Sequence, residues 1–302
     1  MKTEKQPVSE KAAEPDNSPW LCRGDDKAPS LPRDARLPIN RCNLPAVVLG
    51  GVTYQQHPSP LLIDGVAELH GDLFRRLAVA APGAHAEVFR DYLTVRFRLE
   101  RPEEIGLSAG GSRAGKIRAK ANYVRMIRGW SFDSDSREGA VLKGWVESRF
   151  GLMPRHHGQS LRDPSGEAYR RYLEMRSHGL YGTNALESQF DLVYAFCQSE
   201  LARRHPGARH VTLYRGVNRM AEHEVLAKGE GENCGRHFIL LNNLNSFTCS
   251  RERAGEFGDY IMTVEVPLSK IFFFCGLLPG ILQGEDEFLV IGGVVDVSLS
   301  TI

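Results

Sequence analysis

HPGARHVTLYRGV, residues 205–217, is where the chain changes character. Pro206-Gly207 is a turn signal, and the residues from His210 to Val217 are rich in β-branched and aromatic side chains. Upstream of this point the apolar spacing is helical. Downstream, RHFILLNN, DYIMTVEV, KIFFFCG and DEFLVIGGVVDVSL are short runs broken by glycine, and each reads as a strand, with a bulge or bend at Gly292-Gly293. No long helical pattern separates consecutive strands, so mostly antiparallel sheets are expected.

Before residue 205, Ile63, Val66, Leu69, Leu73 and Leu77 form one apolar helical stripe. Leu186, Phe190, Val193, Cys197 and Leu201 form another, with Asn184 and Glu187 spaced as a capping box at its start. Further helices are expected over 84–98, 113–128, 139–150 and 166–178, between Pro/Gly clusters. Residues 1–36 carry Pro7, Pro15, Pro19, Pro29 and Pro32 among mixed charges, a composition that cannot offset the entropy of ordering. The expectation is an α+β chain: a flexible tail (1–36), a helical region (37–205) and a β-rich core (206–302).

Composition narrows the function. Among 302 residues, 38 Lys+Arg face 37 Asp+Glu, a net charge of +1, which argues against a nucleic-acid binder held by a bulk positive field. The six cysteines include no CxxC pair and are too few for a disulfide scaffold, so a reducing compartment is expected. There is no run of 18 apolar residues and no apolar leader, so the expectation is a cytoplasmic protein with no membrane span. Gly110–Lys116 fits GxxxxGK on paper, but Ile117 stands where a phosphate loop needs Ser or Thr, and the segment reads as a turn before a helix. The ten histidines show no zinc spacing, so no metal is expected, and no GxSxG elbow is present. Arg113, Lys116, Arg118, Lys120, Arg125 and Arg128 run without an acid among them, either a solvated face or a dock for an acidic protein.

Three motifs stand out in the β-rich part. In LYRG, Arg215 precedes Gly216; an arginine fork can hold phosphate oxygens while a glycine lets a ligand approach the backbone. In NSFTCS, the period of two sends Ser246 and Thr248 to one face and Phe247 to the other. In GEDEFLV, Glu285 and Glu287 share a face, and two such carboxylates repel unless something cationic lies between them. Before them, CGLLPGILQG reads as a loop whose Leu and Ile are available to a partner.

An Arg strand, a Ser-x-Thr strand and a Glu-x-Glu strand, in that order within 206–302, resemble the Arg-Ser-Glu class of mono-ADP-ribosyltransferases. LPINRCNLPAVVLGG, HPSPLLIDGVAELH, LYGTNALESQFDLVYAFCQ and NSFTCSRERAGEF extend the likeness from Leu31 to the end, and are similar to the dinitrogenase reductase ADP-ribosyltransferase family. The resemblance implies a mostly antiparallel β-sandwich core of the ADP-ribosyltransferase type. It also implies NAD as co-substrate, an arginine of dinitrogenase reductase as acceptor, reversal by a separate glycohydrolase and control by a PII-type signalling protein. By the same likeness Glu287 stabilises the charged ribose and Glu285 activates the acceptor guanidinium. Ser246 orients Glu287 with Thr248 in support, Arg215 holds the diphosphate, the Gly216 backbone receives the nicotinamide amide, and Phe257 or Phe238 packs on its ring. Phe247 and the following Cys249-Ser250 depart from the common Ser-Thr-Ser, leaving Ser250 as an alternative motif serine; the spacing to Ala254 and Phe257 favours Ser246. The helical region carries no catalytic motif and is expected to serve acceptor recognition. A non-catalytic NAD- or partner-binding module, a plain NAD glycohydrolase, a toxin, or an arginine-specific transferase with another target are the competing readings.

Overall fold

The computed structural model describes residues 28–99, 121–229, 235–282 and 286–301. The segments holding Gly110–Lys116, Arg113–Lys120 and Glu285 lie outside these. Leu31 and Ala35, placed by the sequence reading in the tail, are buried in the core.

The main helices are His85–Phe97, Tyr123–Phe132, Arg137–Phe150, Glu167–Gly179 and Ala185–Arg204. Two have side-chain caps: Asn122 accepts from Val124 N, and Ser136 accepts from Gly139 N. Two expectations need correction. The stripe from Ile63 to Leu77 is not one helix but two, Val66–Leu69 and Gly71–Val79, broken at His70, whose ring bonds the Tyr92 hydroxyl. Asn184 makes no side-chain cap, because Glu187 is drawn away to Arg149 at 3.2 Å and Arg176 at 3.1 Å; Thr183 Oγ1 accepts from Ala185 N instead.

The strands are the hairpin β1 (Arg155–His156) and β2 (Gln159–Ser160), then β3 (His210–Val217), β4 (Glu224–Lys228), β5 (Arg236–Leu240), β6 (Leu244–Thr248), β7 (Tyr260–Pro267), β8 (Ile271–Phe274), β9 (Glu287–Ile291) and β10 (Val294–Thr301). β3 to β10 form one antiparallel sheet in the order β4-β5-β10-β7-β3-β6-β9-β8. The class is the α+β one expected. β4 went unforeseen: EVLAK is a half-buried edge strand whose charges blunt the pattern. The β9–β10 bend sits at Gly292-Gly293, where a Cβ on Gly292 would lie 1.8 Å from Asn242 O and Gly293 adopts φ 123°.

The sheet has a weak seam. β3 and β7 share register from His210↔Pro267 to Val217↔Tyr260, whereas β3 and β6 share only Tyr214↔Thr248. The strands therefore splay apart beyond that pair, leaving a gap between the β3 leaf and the β6-β9-β8 leaf. The helices pack directly on the sheet: the Arg137–Phe150 helix is buried along its length, and Trp145 lies 4.7 Å from Phe272 of β8, ring centre to ring centre. One core cluster runs from Phe89 and Trp145 through Leu213 to Val297, joining both parts of the chain.

The loop after β8 does not offer its apolar side chains to a partner. Leu277, Leu278, Ile281 and Leu282 are all buried, and its carbonyls are held from outside, Pro279 O by Arg90 and Gly280 O by Arg128 at 2.8 Å. Apolar side chains in a loop gain more by packing inward than by waiting for a partner.

Candidate active site

The site lies at the seam, where β3, β6 and β9 stand side by side. The short helix Arg251–Gly255 lies over β3. Ser250 caps it by accepting from Arg253 N at 3.2 Å, and Ala254 is buried beneath it. A Cβ on Gly216 would meet Ala254 O at 1.9 Å, so glycine is required here by the packing of this helix on the strand. The result is a cleft of about 400 Å³ bordered by Arg215, Gly216, Ser246, Phe257 and Glu287 together with Trp130, Ser131 and Phe132.

At its floor Ser246 Oγ donates to Glu287 Oε1 at 2.5 Å. Ser131 Oγ donates to Glu287 Oε2 at 2.9 Å, so each carboxylate oxygen is held by a hydroxyl. Trp130 Nε1 donates to Ser246 Oγ at 2.9 Å, which fixes the serine rotor so that its proton points at Glu287. Glu287 itself is buried. Arg215 Nη1 donates to Ser246 O at 2.7 Å, while its Nε is buried with no partner among the described residues. Burial pulls the Arg215 guanidinium below its ordinary range, and Glu287 pushes back.

The structure thus brings together Arg215, Gly216, Ser246, Thr248, Phe257 and Glu287 from separate strands and loops. Thr248 is buried opposite Glu287 in register, and its Oγ1 accepts from Ser250 N at 3.2 Å, bracing the turn after β6. Ser246, not the helix-capping Ser250, reaches Glu287. Phe238, on β5, is not at this cleft but packs on the core. Glu285 lies outside the described residues; the neighbouring Asp286 is exposed with φ 47°. No cluster able to hold a metal ion occurs among the described residues. Trp130 and Ser131 were not foreseen. They lie 116 residues upstream of Ser246 in the case of Trp130, at the end of a helix, with no local pattern to mark them.

A family model described as dinitrogenase reductase ADP-ribosyltransferase matches residues 39–299. A relative from Rhodospirillum rubrum, NAD(+)--dinitrogen-reductase ADP-D-ribosyltransferase, is 39% identical over 257 residues, covering 84% of this chain and 91% of that protein. No solved structure matches. Taken with the Arg215, Ser246 and Glu287 arrangement, these matches establish that the chain belongs to the dinitrogenase reductase ADP-ribosyltransferase family.

Proposed function

We propose that the chain transfers ADP-ribose from NAD to an arginine of dinitrogenase reductase, reversibly inactivating nitrogenase. The observation that carries the reading is Glu287, buried at the floor of a cleft with a hydroxyl on each oxygen. Breaking the nicotinamide–ribose bond builds positive charge on the sugar, as in glycoside cleavage. A carboxylate already fixed beside that charge does not have to reorganise as it develops, and one such preorganised group is worth about 3 kcal/mol. Ser246 and Ser131 hold the carboxylate plane; Trp130 holds Ser246. The unpartnered Nε of Arg215 leaves a donor for the diphosphate. Phe257, half exposed at the cleft, offers an aromatic face to the nicotinamide ring.

The acceptor guanidinium is protonated in water and must lose a proton as its nitrogen bonds the ribose carbon and nicotinamide departs. Glu285 is proposed to take that proton, on its spacing two residues from Glu287. The helical region is proposed to recognise the acceptor: the Tyr123–Phe132 helix ends at the cleft with Phe132 91% exposed. Of the basic run, Arg125 already bonds Glu138 and Arg128 bonds Gly280 O, which reduces what they offer a partner. Control by a PII-type signalling protein and a cytoplasmic site of action complete the proposal; the described cysteines are free, and no helix among the described residues is long and apolar enough to cross a membrane.

The test is incubation with labelled NAD and purified dinitrogenase reductase, followed by mapping of the labelled residue. Label on an arginine is expected. NAD consumed without label on the target makes the protein a glycohydrolase, and no NAD consumption makes it a binding module.

A further inference from the structure

A second chamber of about 420 Å³ opens off the cleft and shares Arg215, Asn242 and Asn245 with it. We propose that this chamber holds the diphosphate of NAD between Arg155, Arg215 and His223, with Arg155 supplied by the helical region as the second arginine of the clamp. The inference rests on the reading of the protein as NAD-dependent.

Arg155 is placed firmly. Asn242, just before β6, accepts from Arg155 N at 2.8 Å and donates to Arg155 O at 3.0 Å, pinning the β1–β2 hairpin to the sheet. The Arg155 guanidinium is committed only to Gly158 O, at 3.2 Å, and no carboxylate pairs with it among the described residues. Its remaining N–H groups are free to turn toward oxygen. His223 Nδ1 is buried without a partner, as is Arg215 Nε on the shared wall. Two arginines and the orphaned His223 Nδ1 thus border one chamber with unmet hydrogen-bonding capacity, and buried polar nitrogens left unpaired in this way point to a missing partner. Burial first, then the two arginines, hold His223 below its ordinary range, so the ring is neutral and its Nδ1 donates to an oxygen in the tautomer that carries the proton there.

The charges agree with a diphosphate. Two acids border the chamber, Asp135 and Glu222. Asp135 is already bonded by Lys143 at 2.5 Å and His156 at 3.3 Å. Although burial works against it, these two bonds hold the Asp135 carboxyl well below the usual carboxylate range. Glu222 is exposed and faces Arg219 at 3.8 Å. Arg155 faces no carboxylate in an ion pair among the described residues, and Arg215 feels Glu287 alone, so the chamber keeps a positive balance that suits a diphosphate. Arg215 borders both cavities, with Nη1 bonded to Ser246 O and Nε buried without a partner among the described residues. A ligand with its ribose at Glu287 would pass Arg215 with its phosphates.

Isothermal titration of the full chain with NAD, and with ADP as a probe bearing the diphosphate without nicotinamide, tests this. Arg155→Met keeps the apolar stem and removes the donors. It is expected to weaken both ligands about tenfold or more, raising KM for NAD with little change in kcat, and Arg155→Lys to recover part of the loss. If Arg155→Met lowers the melting temperature, His223→Gln is read by the same titrations. Unchanged affinity for both ligands, or weakened NAD with unchanged ADP, overturns the subsite. Failure of the unmodified protein to bind NAD overturns instead the reading on which it rests.

Discussion

Replacing Ser131 with alanine removes one hydroxyl from the surface end of a helix and nothing from the core. In the structure that hydroxyl holds Glu287 Oε2 at 2.9 Å, while Ser246 holds Oε1. Without it the carboxylate loses the donor at Oε2 while Ser246 still holds Oε1. A hydrogen bond to a charged group contributes about 1.5–3 kcal/mol, which corresponds to a loss of roughly ten- to a hundredfold if it is realised in the transition state. Because the contact is to the carboxylate and not to the bound dinucleotide, the loss is expected in kcat, with KM for NAD nearly constant. Stability is expected to fall by about 1–3 kcal/mol, because Ser131 is solvent-exposed but the Glu287 carboxylate that loses its donor is buried. The assay is steady-state NAD cleavage and target labelling, with kcat and KM resolved separately and thermal melting as the control for folding. Ser131→Thr, which keeps the donor, is expected to regain most of the rate. A Ser131→Ala protein with full kcat would refute the idea that two hydroxyls aim Glu287.

Glu287→Gln is expected to abolish both NAD hydrolysis and arginine transfer, whereas Glu285→Gln keeps slow hydrolysis and loses transfer; parallel assays of free nicotinamide and labelled target separate the two. Gly216→Ala forces a Cβ to within 1.9 Å of Ala254 O and is expected to lower stability by about 1–3 kcal/mol in urea titrations and to weaken NAD binding through the displaced helix. Trp145→Ala, at the junction of helices and sheet, is expected to cost about 3–5 kcal/mol by the same measurement. Lys270 is wholly buried, donates to Gly292 O at 2.7 Å, and burial pulls its pKa down from 10.5 to about 7. Between those values the unfolded chain holds a proton that the folded chain has released, so stability should rise as pH climbs above about 7, by up to roughly 1 kcal/mol per unit, and the penalty is complete below it. Lys270→Met should flatten that slope; an unaltered pH profile of unfolding would count against the assignment.

Much of the sheet was legible because its strands are short β-branched runs closed by glycine. The same regularity showed that Ser246 and Thr248 share a face, whereas Arg215, Ser246 and Glu287 were singled out by their order along the chain and the resemblance it carries. What escaped was decided by distant partners. Glu187 has the spacing of a capping residue, yet two arginines from neighbouring helices outcompete the backbone for it. The leucines of 277–282 look available in a Gly/Pro-rich loop, and only the folded core shows that they have somewhere to go. Trp130 and Ser131 belong to a helix whose own pattern says nothing of a carboxylate on β9.

The seam between β3 and β6 carries one more implication. Its backbone ladder is reduced to Tyr214↔Thr248, and the bond from Arg215 to Ser246 O is a second tie across the same line. The guanidinium is thus a rivet as well as the proposed handle: it fastens the two leaves between which it is proposed to grip the ligand. Substituting it would loosen architecture and chemistry in a single stroke, so an inactive Arg215 variant says little about either until the leaves are shown to remain closed.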